Sequence, residues 1–175
     1  MTFYFKHYVA DTLKYDFLNK FNYENISSIP SLISITLHFK FKNYSLKLLV
    51  TSLSVLEIIT GKKGFITKAK ISNITLKLRK GSPIGCKVVL RKKEALKFLS
   101  TVLDNFKNIK NEKSIILHKD CLSLSNVIPN VLSLPELESN YHFFKNLGQL
   151  NIKFTTTAKT QQELDYLLKS HKLQN

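Results

Sequence analysis

Few residues in this chain have the types and spacing that chemistry requires, and most fail on spacing. Gly61-Lys62-Lys63-Gly64 has the glycines and lysines of a phosphate-cradling loop but not its length or its hydroxyl residue. A glycine ending a helix, followed by lysines, accounts for it. His118 and Cys121 are spaced to hold a metal, yet no second pair completes a tetrahedral set, which leaves a structural loop as the other reading. Cys86 falls on the apolar side of an alternating run and reads as a core thiol. His38, between Thr36 and Lys40, suits phosphate or base contact, or is a solvated histidine; no carboxylate lies within sequence reach. Glu136 and Glu138 read equally well as turn residues. No catalytic residue, cofactor or metal is expected. What remains is anion binding. In Gly81–Arg91, GSPIGCKVVLR, two glycines around Pro83 shape a turn that delivers a strand. Ile84, Cys86, Val88 and Leu90 point one way; Lys87, Val89 and Arg91 point the other.

The elements that must hold such a face can be read from periodicity. Tyr8 to Phe21 has helical spacing, with Val9, Leu13, Phe17, Leu18 and Phe21 apolar. Ser31 to Phe41 alternates as a strand, Ile33, Ile35, Leu37, Phe39 and Phe41 opposing Ser34, Thr36, His38 and Lys40. Tyr44 to Ile59 predicts a helix buried along Leu46, Leu49, Val50 and Leu53 and closed by Gly61. A short strand at Phe65–Ala69 and a lysine-rich stretch follow, then an alternating run, Ile74–Arg79. Lys92–Phe106 predicts a helix buried through Leu96, Leu99, Val102, Leu103 and Phe106, and residues 107–113 a polar loop. Short strands are expected at 115–118, 122–124 and 131–134, and a longer one at 149–157 with Leu150, Ile152 and Phe154 inward. Thr160 and Glu163 form a capping box for the last helix, which Leu164, Leu167 and Leu168 pack down. The expected fold is α+β, a mainly antiparallel sheet with helices packed on one face and a protruding basic loop, in a single domain spanning 1–175.

With 27 basic and 12 acidic residues the chain carries a net charge of +15. Nucleic acid is the commonest partner for such a surplus, an anionic membrane surface the next. A membrane reading needs a basic amphipathic helix, whereas these lysines fall on strands and loops, and no apolar run reaches spanning length. Two cysteines suggest a reducing compartment, and no signal or arginine-rich transit peptide is expected. Only Arg79 and Arg91 are arginines, and lysine, asparagine, isoleucine and phenylalanine abound, which fits an AT-rich genome such as that of an organelle. The polar phases of the strands carry Lys40, Lys77, Arg79, Lys87, Arg91 and Lys153, while the aromatics Phe39, Phe41 and Phe154 fall on the buried phase. Recognition of a folded RNA by shape is expected, rather than base stacking along a single strand.

The stretch ITGKKGFITKAKISNITLKLRKGSPIGCKVVLRK, Ile59 through Lys92, resembles the bacterial-type large-subunit ribosomal protein five family. Ile59, Thr60 and Gly61 match the start of its signature; Thr67, Lys68, Ala69, Lys70 and Ser72 match the middle; Lys77, Leu78, Arg79, Gly81, Pro83, Ile84, Gly85, Val88, Leu90 and Arg91 match the end. KFNYENISSIP, LPEL, NLGQLNIKFTTTAKT and QQELDYLLKSH extend the similarity along the chain. The resemblance implies a structural protein of the central protuberance. It would bind 5S ribosomal RNA, or a replacement, through Thr36, His38, Lys62, Lys63, Lys87 and Arg91. A loop with Lys68, Lys70, Ser72, Asn73, Lys77, Arg79 and Lys80 would reach P-site transfer RNA. Neighbouring large-subunit proteins, and a small-subunit head protein through an intersubunit bridge, are the further partners implied. His38, Lys62 and Val89 stand where the family has Asn, Gln and Thr, and the family's arginine- and glycine-rich segments are unrecognisable between Phe106 and Leu134. With the AT-rich signature this points to a mitochondrial ribosome, with a plastid or an AT-rich bacterial cytoplasm as the alternative. A free RNA chaperone or regulatory RNA binder is the second functional class; high-salt cofractionation with large-subunit particles separates the two.

Overall fold

The computed structural model describes Tyr8 and residues 12–41, 45–75, 78–106, 114–118, 121–128, 131–138, 141–144 and 147–170. Its strands are β1 (Leu32–Lys40), β2 (Phe65–Lys68), β3 (Pro83–Arg91), β4 (Ser114–His118), β5 (Cys121–Ile128) and β6 (Leu150–Thr156). The helices are α1 (Leu13–Lys20), α2 (Leu46–Thr60), α3 (Lys93–Phe106), two single turns α4 (Pro135–Glu138) and α5 (Tyr141–Phe144), and α6 (Gln161–Ser170). The strands join in the order β2-β3-β1-β6-β5-β4, a mainly antiparallel sheet in an α+β fold, as the alternation predicts. Two compact units result, one of Met1–Ile35, Leu90–Ser125 and Phe154–Asn175, the other of Thr36–Val89 and Asn126–Lys153.

In the first unit, α1 and α6 meet through Leu13, Phe17 and Leu167, joined by Ile29. The Phe17 and Tyr166 rings pack edge-on at 5.0 Å, and the Lys20 ammonium sits 4.1 Å from the Tyr166 centroid. Helix α6 starts with the predicted capping box: Glu163 N donates to Thr160 Oγ1 at 3.3 Å, and the Glu163 carboxylate accepts from Thr160 N at 3.2 Å. Ser31 N donates to Thr157 Oγ1 at 2.8 Å and Thr157 N to Ser31 O at 2.9 Å, which zips the start of β1 to the end of β6. Helix α1, Leu13–Lys20, falls inside the expected Tyr8–Phe21 span and leaves Leu18 exposed; Val9 lies outside the described residues. On α3 the buried residues are Ala95, Phe98 and Leu99, with Leu96 only half-buried; the side chains of Val102, Leu103 and Phe106, like residues 107–113, lie outside those described.

In the second unit Leu37, Phe39, Cys86, Val88, Leu150 and Ile152 are buried on one phase of β1, β3 and β6. Helix α2 covers that phase: its Ser52 hydroxyl lies 3.1 Å from the Cys86 thiol, which donates to it. Burial pushes the thiol's pKa up, as suits a core residue. Helix α2 ends as expected, with Gly61 left-handed at φ 66 and its N–H donating to Glu57 O at 2.8 Å. Its buried stripe is Leu49, Ser52, Val55 and Leu56, whereas Leu46 and Val50 are 68% and 52% exposed. Apolar residues surround this helix in sequence, so periodicity alone does not select the face; contact with β3 does. Two expected strands are not found among the described residues. Val131–Ser133 is a turn of 3-10 helix, and at Ile74–Arg79, where residues 76 and 77 lie outside those described, an isolated bridge joins Asn73 and Leu78.

Candidate nucleic-acid interface

The polar phase of the second unit starts from β1, where Thr36 and His38 are half-buried and Lys40 is exposed. Lys153, half-buried on β6, shares their phase on the neighbouring strand. Burial first, and then the positive charges of Lys40 and Lys153, hold the His38 imidazole below its ordinary pKa of 6.5, so it is neutral at neutral pH. It therefore offers a ring nitrogen as donor or acceptor between two ammonium groups. Lys87 of β3 is exposed on the same polar phase, as its alternation with Cys86 and Val88 predicts. Arg91, at the end of β3, is also exposed but belongs to the first unit.

Lys62 and Lys63 join this group through register. Both are exposed in the turn after α2, and the chain enters β2 at Phe65, which pairs with Lys87. The turn is held by Glu57, whose carboxylate accepts from Gly64 N at 3.2 Å, and by Thr60, whose hydroxyl accepts from Lys62 N at 3.2 Å. Glu57 was not singled out from sequence, because its contact crosses a turn seven residues long.

The other end of β2 leads into a basic arm. Lys68 pairs with Pro83 after a register shift, and the buried Ala69 then accepts from Gly81 N at 3.0 Å and donates to Ser82 O at 2.9 Å. Gly81 has φ 87, the conformation required at the third position of the Arg79–Ser82 turn, where Ser82 N bonds Arg79 O at 3.1 Å. Farther out, Asn73 and Leu78 exchange both backbone hydrogen bonds at 2.9 Å, and the Asn73 side-chain oxygen accepts from Thr75 N at 3.0 Å. Lys68, Lys70, Ser72, Asn73, Arg79 and Lys80 are all exposed along this arm; Lys77 lies outside the described residues. The structure thus sorts the predicted residues into two groups. Lys62, Lys63 and Lys87 gather at the start of β2, and the arm residues continue from its end, roughly 10 Å away at the rise of a strand.

Among the described residues no cluster of His, Cys, Asp or Glu is placed to hold a metal ion. His118 and Cys121 are register partners closing the β4–β5 hairpin.

Comparison with known proteins decides the family. Over 169 residues the chain is 36% identical to large ribosomal subunit protein uL5m of Reclinomonas americana, covering 93% of this chain and 92% of that protein. It is 34% identical over 170 residues to uL5 of Nitrosomonas europaea, covering 94% of each, and 33% identical over 159 residues to uL5 of Clostridium tetani. The chain belongs to the large ribosomal subunit protein uL5 family. No protein-family model matches it. A chain of this family is a structural constituent of the large subunit and not an enzyme.

Proposed function

We propose that the two basic groups contact different RNAs. The group at Thr36, His38, Lys62, Lys63 and Lys87 binds ribosomal RNA of the central protuberance, 5S RNA or whatever replaces it, and Arg91 of the first unit contacts the same RNA. The arm with Lys68, Lys70, Ser72, Asn73, Arg79 and Lys80, together with Lys77, reaches transfer RNA in the P site. The observation that carries this reading is the charge pattern on the β2 hairpin: no acidic residue stands between Glu57 and Glu94, and exposed lysines lie at both ends of one short edge strand. A rigid strand spaces two phosphate-binding groups so that one anchors while the other projects. Contacts with neighbouring large-subunit proteins, and with the small-subunit head, complete the proposed surroundings. Mitochondrial location is supported by the uL5m relative and by a lysine-, asparagine- and isoleucine-rich composition.

Crosslinking from the arm tests the division. Large-subunit particles carrying a photoreactive residue at position 70 should yield transfer RNA adducts only when the P site is filled. A residue at position 87 should yield ribosomal RNA adducts throughout. Adducts from position 70 confined to ribosomal RNA or protein, with the P site occupied, would remove the transfer RNA role.

A further inference from the structure

The two most exposed large apolar side chains among the described residues are both on the arm, three positions apart: Ile74 at 93% and Ile71 at 81%. They are held there. The Asn73–Leu78 bridge and the bond from Thr75 N to the Asn73 side chain fix the backbone on both sides of Ile74. Both isoleucines therefore remain in water in the isolated chain, with Lys68, Lys70, Arg79 and Lys80 exposed around them and no acidic residue on the arm.

An apolar tip ringed by cations fits a surface that is flat and apolar at its centre and anionic at its rim. Folded RNA presents such a surface where stacking ends, because the last base pair exposes its face while phosphates border it. A protein groove would need an acidic rim to match the same ring of lysines, and a bilayer would need an apolar face far larger than two side chains. We infer that Ile71 and Ile74 pack on an open nucleobase face of the transfer RNA, while the lysines and Arg79 bind the surrounding phosphates. This rests on the placement of the arm at transfer RNA proposed above. It divides the contact into a part set by salt and a part that is not: apolar packing releases no counterions, whereas each lysine–phosphate contact does.

The test uses large-subunit particles assembled with the full chain and loaded with messenger and P-site transfer RNA, reading transfer RNA dissociation across a salt series. Ile71→Ala with Ile74→Ala should speed dissociation about tenfold at every salt concentration, leaving the salt slope unchanged. Lys68→Ala with Lys70→Ala should instead reduce the slope by roughly one per lysine. Ile74→Leu should behave as the parent and Ile74→Asn as the loss. If arm positions crosslink to transfer RNA but the isoleucine variants release it at the parent rate, the packing inference is wrong and the transfer RNA reading survives. If no arm position reaches transfer RNA, both fall. A crosslink from position 74 to protein alone overturns the nucleobase partner.

Discussion

Replacing Gly85 with alanine probes the contact on which the polar face depends. An added Cβ at Gly85 would run into the Phe39 carbonyl oxygen, a backbone atom of β1, and would lie 3.3 Å from Thr67 Oγ1 of β2. Neither neighbour is the free end of a flexible chain, so β1 and β3 must move apart. Overpacking of this kind costs about 1–3 kcal/mol, occasionally more. Gly85 does not have positive φ, so alanine also restricts the unfolded chain, which returns roughly 0.4–1 kcal/mol. The net expectation is a loss of about 1 kcal/mol by urea unfolding of the full chain followed by circular dichroism. Gly81→Ala is the matched control: nothing lies within 4 Å of its added Cβ, and only the left-handed φ of 87 opposes it, at about 1–2 kcal/mol. The two variants should separate by function. Gly85→Ala should weaken incorporation into large-subunit particles because it spreads the strands carrying His38 and Lys87; Gly81→Ala should spare incorporation and disturb only the arm. An unchanged urea midpoint for Gly85→Ala would refute the close approach of β1 and β3 and the geometry built on it.

Two further outcomes concern the basic residues of β1 and β3. Lys87→Ala with Arg91→Ala should leave the circular-dichroism spectrum and urea midpoint near the parent values, since both side chains are exposed, but should release the chain from large-subunit particles at lower salt; loss of the folded signal would mean that these side chains support the core. His38 has a folded-state pKa below its ordinary 6.5, so as pH falls the unfolded chain takes up that proton first. Stability from the neutral imidazole is therefore present above about pH 6.5 and declines as pH drops from there toward the folded value. His38→Asn should flatten that part of the stability–pH curve, and an unchanged slope would contradict burial beside Lys40 and Lys153.

Signals confined to neighbouring residues were legible in the sequence. The alternation of Cys86, Lys87, Val88 and Arg91 set the two faces of β3, because a strand turns its side chains by half a revolution per residue wherever it is placed. Gly61 and the Thr160–Glu163 pair likewise marked helix ends, since caps close over three or four residues. The signature from Ile59 to Lys92 was enough to name the family. Tertiary structure decided what depends on neighbours distant in the chain. Helix α2 has apolar residues on all sides, and only packing of Ser52 against Cys86 chose Leu49, Val55 and Leu56 over Leu46 and Val50. Ile74–Arg79 alternates like a strand, yet among the described residues the arm shows one isolated bridge, Asn73–Leu78, and a strand needs a partner that supplies a run of hydrogen bonds. Gly85 looked like a turn glycine beside Pro83; its lack of a side chain instead admits the Phe39 carbonyl from another strand. The division of the lysines into a group at the start of β2 and an arm beyond its end followed from the pairing of Phe65 with Lys87 and of Lys68 with Pro83. Local sequence sets which way a side chain points, but register sets what it points beside.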